Sequence, residues 1–135
     1  MIYDVIILGS GPAGLSAAIY AQRARLYTLV IEEKPLSGGQ ILDTYEVDNY
    51  PGLPGITGFE MGQKFRSHAD QLGTEVVNDQ VTEIKVQGDK KIVVTGKGTY
   101  EAKSLIIATG AKHRKLGVPG EDQLLGMGVS YCATS

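Results

Sequence analysis

The chain has 135 residues, 42% of them apolar and 21% charged, which is sized for one domain and too apolar for a disordered tail. With 13 basic and 15 acidic residues the net charge is −2, so no broad cationic face is offered to nucleic acid. A single cysteine excludes an internal disulfide framework, and two histidines are too few for a His/Cys zinc site, so no metal is expected. No apolar run approaches the roughly 20 residues of a membrane helix, and Asp4 interrupts the start of the chain where a secretory signal would need apolar residues; a cytoplasmic location is expected. The unusual figure is 18 glycines, well above the average usage of about 7%.

In chain order, Ile2 to Leu8 is a nearly continuous β-branched run that predicts a strand buried on both faces and stops at Gly9. The alanine-rich stretch from Pro12 to about Arg25 predicts a helix with proline at its start and arginines near its negative end. Thr28 to Ile31 is a second apolar run, followed by Glu32 and Glu33, so these elements spell strand, helix, strand: an α/β chain with a parallel sheet. Residues 34–58 are too rich in glycine and proline for long regular structure, and long loops in compact domains tend to be functional. A helix is predicted from about Phe59 to Leu72, its apolar face formed by Phe59, Met61, Phe65, Ala69 and Leu72. Short strands at 75–77, 81–86, 92–95 and 99–102 follow, the last three as an antiparallel meander, and then Ser104 to Ala108 as another doubly buried run.

Gly9-Ser10-Gly11-Pro12-Ala13-Gly14 matches the G-x-G-x-x-G pattern, leaves a buried strand and opens a helix, and Glu32 stands at the end of the next strand. The first glycine permits the tight turn, the second lets the backbone approach a pyrophosphate at the positive helix end, and the third lets helix and sheet pack closely. Glu32 would accept hydrogen bonds from a ribose, whereas Glu33, beyond the strand end, reads as solvated. His68, among polar neighbours, and His113, in the basic run Lys112 to Lys115, read as solvated too, although that run could meet an acidic partner.

Together with that fingerprint, Gly38-Gly39-Gln40, Glu46-Val47-Asp48-Asn49-Tyr50-Pro51-Gly52, Ala108-Thr109-Gly110-Ala111, Pro119-Gly120-Glu121 and Gly128 to Thr134 occur in one order. In this the chain resembles the FAD half of the low-molecular-weight thioredoxin reductases. The resemblance implies a Rossmann-like FAD-binding domain with a small antiparallel meander, over residues 1–115, and a crossover at 116–135 into a nicotinamide and redox domain. It implies that Gly38, Gly39 and Gln40 lie along FAD, Asn49 reaches the flavin region, Thr109, Gly110 and Ala111 pass near the cofactor, and Val81 sits near the adenine. It also implies electrons from NADPH, thioredoxin or a thioredoxin-like partner, and a homodimer.

Two departures from the family pattern stand out. The family carries Cys-Ala-Thr-Cys, a redox pair, where this sequence has Cys132-Ala-Thr-Ser135, and a hydroxyl cannot form the disulfide. Cys132 reads as redox-related and Ser135 as the second redox position. The family's nicotinamide fingerprint and returning Gly-Asp block are absent, so the fold is expected to be incomplete without a C-terminal segment and the chain alone inactive and poorly stable. Three readings remain open: an NADPH-dependent thioredoxin-disulfide reductase, a flavoprotein reductase working with ferredoxin or another donor, and a non-catalytic FAD-binding module.

Overall fold

The first strand, β1 (Ile2–Leu8), owes its place at the centre of the sheet to a sequence with apolar side chains for both faces. The computed structural model describes residues 1–111, 117–124 and 127. After β1 come α1 (Pro12–Arg23), β2 (Thr28–Glu32), a 3-10 turn (Gly39–Asp43), α2 (Gly58–Gln71), β3 (Glu75–Asn78), β4 (Val81–Gln87), β5 (Lys90–Thr95) and β6 (Gly98–Ile107). They form one six-stranded sheet in the order β3-β2-β1-β6-β5-β4. β1, β2 and β3 are parallel neighbours, joined through α1 and α2.

Alternation along β1 divides the core between two faces. Val5 and Ile7 pack with Ala18, Ala21 and Val30 on the side that α1 covers. Ile6 and Leu8 face the other way, with Leu29, Ile31, Val93 and Ala102. At the start of the sheet Tyr3 stacks on Tyr27 with ring centroids 4.3 Å apart and donates to Glu75 Oε1 at 2.6 Å. Burial and the Glu75 carboxylate push the Tyr3 hydroxyl well above the usual tyrosine range.

Three expectations need correction. The predicted strands at 99–102 and 104–108 are one strand, β6, because it serves two neighbours: residues 98–102 pair antiparallel with β5, and Glu101 to Ile107 pair parallel with β1. The meander therefore continues the parallel sheet without a break. Nor is the end of β6 doubly buried, since Ile106 and Ile107 are 40% and 66% exposed. The reason is positional: α1 lies over β1 and β2, while Ile107 borders an open cleft. Finally, α2 keeps only part of the expected apolar stripe at its packed face, Met61 and Ala69, and adds two glycines to it. Gly58, Met61, Gly62 and Ala69 are buried, whereas Phe59 and Leu72 are exposed. A β-carbon on Gly62 would stand 3.2 Å from Gly38 Cα and from Ser37 O, so backbone meets backbone there. The start of α2 is capped by Thr57, whose hydroxyl accepts from the Glu60 N–H at 3.1 Å.

Candidate cofactor-binding site

In an open parallel sheet, ligands bind beyond the carboxyl ends of the strands, where neighbouring connections diverge. Here that place lies between β1, whose chain leaves through α1 toward β2, and β6, on its other side. The strand ends are tied together. Gly9 N–H donates to Ile31 O at 2.9 Å, Ala108 N–H to Leu8 O at 2.8 Å and Asp79 N–H to Glu32 O at 2.9 Å. Above them opens a cleft of about 560 Å³.

The fingerprint forms one wall of it. Gly9, with φ +105°, makes the sharp turn out of β1, and a β-carbon there would lie 2.2 Å from Ala108 O. Gly9, Ser10, Gly11, Pro12 and Ala13 line the cleft. Gly14 does not. It is buried, where a β-carbon would come 1.9 Å from Gly9 O, which accounts for the third glycine by helix-to-turn packing. The α1 N-terminus has no side-chain cap and no acidic residue in its first turn, so its electropositive end is left for whatever enters the cleft. Gly11 has a φ of −74°, and a β-carbon there would meet Gly39 Cα at an ordinary 3.5 Å. A methyl group is tolerated by the protein there, while a branched side chain would press on Gly39 as well as on a ligand.

Glu32 is buried at the end of β2 and borders the cleft. Its Oε1 accepts from Ser10 N–H at 3.0 Å and from the Ser10 hydroxyl at 2.5 Å, and its Oε2 accepts from Lys34 N–H at 3.0 Å. A carboxylate has about four lone-pair sites, so the protein itself fills most of them and one remains for a ligand hydroxyl. Glu33 lines the cleft mouth but is exposed, in keeping with its solvated reading.

Gly39 and Gln40, on the 3-10 turn, line the cleft beside Gly11, and Thr109, Gly110 and Ala111, which follow β6, line it too. The Gln40 side-chain amide donates to Ala111 O, linking those two segments across the chain. Gly38, with φ +132°, lies behind the wall against Leu42 and Gly62. Val81 borders the cleft at the start of β4. Asn49 does not line it but lines a neighbouring hollow, with Asp48, Tyr50 and Met61, that shares Ile41 with the cleft. The bridge between Val47 and Ile56 folds that loop back on itself.

Sequence reasoning missed several lining groups. Asp79 follows β3 and is nearly buried; the Thr95 hydroxyl and the Gln80 N–H beside it hold its carboxyl below the usual aspartate range. Ile84 and Ile107 add apolar surface, and Lys34 stands beside Glu33. None sits in a recognisable motif, and each arrives from a different element. His68 is exposed on α2. His113 with the basic run, Cys132 and Ser135 lie outside the described residues, as does the boundary expected at 115 and 116. Among the described residues no three His, Cys, Asp or Glu side chains are placed to hold a metal ion, and no helix is long and apolar enough to cross a membrane.

This geometry has counterparts of known structure. Over 98% of its length the chain is 46% identical to thioredoxin reductase from Lactococcus lactis, with a TM-score of 0.86, and covers 43% of that chain. A ferredoxin-flavin thioredoxin reductase from Clostridium acetobutylicum is 39% identical over 98% of this chain and 45% of its own, with a TM-score of 0.75. Thioredoxin reductase from Listeria monocytogenes is 51% identical over 132 residues, 98% of this chain and 41% of the relative's length. The chain thus spans less than half of these relatives. The model of the pyridine nucleotide-disulphide oxidoreductases matches residues 3–135, and with a glycine fingerprint, an uncapped helix end and a strand-end carboxylate converging on one cleft, the chain belongs to that family.

Proposed function

We propose that this chain is the FAD-binding part of a thioredoxin-disulfide reductase. The observation that carries the reading is the convergence, at one cleft, of the Gly9 to Gly14 turn, the open N-terminus of α1 and the buried Glu32 carboxylate. Each suits a different part of a dinucleotide. The turn and the helix end suit the pyrophosphate, the remaining lone pair of Glu32 a ribose hydroxyl, and Val81 with the apolar wall the adenine. Gly39 and Gln40, joined to Ala111 by the Gln40 amide, would border the flavin half together with Thr109 and Gly110, with Gly38 supporting the turn from behind and Asn49 in the adjoining hollow. FAD supplies the electron chemistry when bound; these residues hold it and limit access to it.

In the whole enzyme we infer electron flow from NADPH through FAD to a cysteine pair that includes Cys132, and on to a thioredoxin-like partner. The family resemblance, rather than any surface of this chain, carries the homodimer and the cytoplasmic location. The similarity to the Clostridium ferredoxin-flavin enzyme favours a second reading in which the donor is ferredoxin. Bleaching of the flavin by NADPH in the full-length protein is expected under the first reading and excluded under the second.

Two measurements test the proposal. Glu32→Ala is expected to weaken FAD binding by about 1.5–3 kcal/mol, roughly ten- to a hundredfold in Kd, because a charge-assisted hydrogen bond to the ribose is lost. An unchanged Kd by flavin fluorescence titration removes the ribose assignment. In the full-length protein with Ser135, the Cys132 thiolate should displace the leaving thiol of a thioredoxin activated as a disulfide at a single cysteine and hold the partner as a mixed disulfide without turnover, since neither position 135 nor the partner then offers a thiol to release it. Ser135→Cys should restore NADPH-dependent disulfide reduction, and Cys132→Ser should abolish capture while leaving FAD bound. Equal turnover with Ser135 and with Ser135→Cys rules out the dithiol mechanism.

A further inference from the structure

Glu32 does not stand alone in its pocket. From Ser10 of the motif a chain of polar groups runs behind it, drawn from three segments. The Ser10 hydroxyl lies 2.5 Å from Glu32 Oε1 and 2.8 Å from the Ser37 hydroxyl, and Arg66 Nη1, on α2, lies 3.0 Å from the Ser37 oxygen. Arg66 is itself held by Asp70, one turn along α2, through Nε at 2.8 Å. Ser10 and Ser37 are buried, and Arg66 is the partly exposed end of the series.

Proton counting gives this series one direction. A guanidinium only donates, an ionised carboxylate only accepts, and each hydroxyl has one proton to give. The short contact to Glu32 takes the proton of Ser10. Ser37 must then accept from Arg66 and donate to Ser10. The order is Arg66 to Ser37 to Ser10 to Glu32, with every bond polarised the same way. Aligned hydrogen bonds in a buried site strengthen one another, so a positive group on α2 reaches the carboxylate through two serines without touching it.

We propose that Arg66 and Ser37 are positioning residues for the cofactor ribose: they fix the Ser10 hydroxyl as a donor, which locks Glu32 Oε1 to the turn and leaves Oε2 turned to the ligand. The proposal rests on the reading of the cleft as an FAD site. It also ties nucleotide affinity to the seating of α2. Neither Ser37 nor Arg66 borders the cleft, so two routes lead from them to the ligand, one through Ser10 and Glu32 and one through the 3-10 turn that α2 supports, and only the first ends at the Glu32 carboxylate.

The test is a set of FAD titrations by flavin fluorescence. Arg66→Met, which keeps the aliphatic stem, and Ser37→Ala are each expected to raise Kd about three- to tenfold, and Arg66→Lys, which keeps a donor, to recover part of that loss. In a Glu32→Ala background neither Arg66→Met nor Ser37→Ala should change Kd further, because the relay then ends on nothing. Equal losses in both backgrounds would show a general structural effect and overturn the proposal, as would parent-like binding by Arg66→Met and Ser37→Ala. Parent-like binding by Glu32→Ala itself is a separate outcome, which overturns the ribose assignment and the relay with it.

Discussion

Gly14→Ala is expected to destabilise the chain at the upper end of the about 1–3 kcal/mol typical of overpacking, and to release FAD with it. A β-carbon at this position would stand 1.9 Å from Gly9 O and 2.8 Å from Gly9 C, both backbone atoms of the turn that faces the cleft. No rotamer relieves such a contact. Helix α1 must move off β1 or the turn must open, and either change displaces the Ser10 N–H from Glu32. Gly11→Ala is the matching control. Its β-carbon has ordinary contacts, so the variant should keep the parent unfolding midpoint while losing affinity to the extent that the pyrophosphate approaches that turn. Denaturant unfolding of both variants separates the effects, and a Gly14→Ala protein with the parent midpoint would show that the helix-to-turn packing is looser than the structure has it.

The second large effect is expected at Gly58→Ala, far from any nucleotide motif. At the first position of α2 a β-carbon would lie 1.7 Å from Ile41 O and 2.6 Å from Thr44 O, where Gly58 N–H already donates to Thr44 O at 2.9 Å. The added methyl group must push α2 away from the 3-10 turn Gly39–Asp43, and that turn carries Gly39 and Gln40 into the cleft wall. Stability should fall by roughly 1–3 kcal/mol. FAD affinity should fall as well, although Gly58 does not itself line the cleft. Thermal unfolding and FAD titration of the same variant check the two halves of this expectation, and loss of stability with parent-like affinity would show that the 3-10 turn holds its place without α2.

The residues of β1, α1 and β2 declare their structure locally. A run of β-branched residues, a proline-led alanine helix and a second apolar run need only short-range chemistry to be read, and the glycine spacing with Glu32 marks the carboxyl end of the sheet as a dinucleotide site. Most of the cleft was legible for that reason. What the tertiary structure alone decided depends on contacts between residues far apart in sequence. The two expected strands near residue 103 became one because β5 and β1 both claim β6, a choice that no local pattern encodes. The α2 helix turned its glycines inward because the backbone approaches too closely for a side chain, at Ser37 and Gly38 against Gly62 and at Ile41 and Thr44 against Gly58. The hollow beside the cleft that Asn49 lines is built on a loop closed by the bridge between Val47 and Ile56, nine residues apart in sequence. The relay from Arg66 to Glu32 joins three segments whose serines and arginine look, one at a time, like ordinary surface residues; only the fold buries the hydroxyls together, and burial is what obliges each to find a partner.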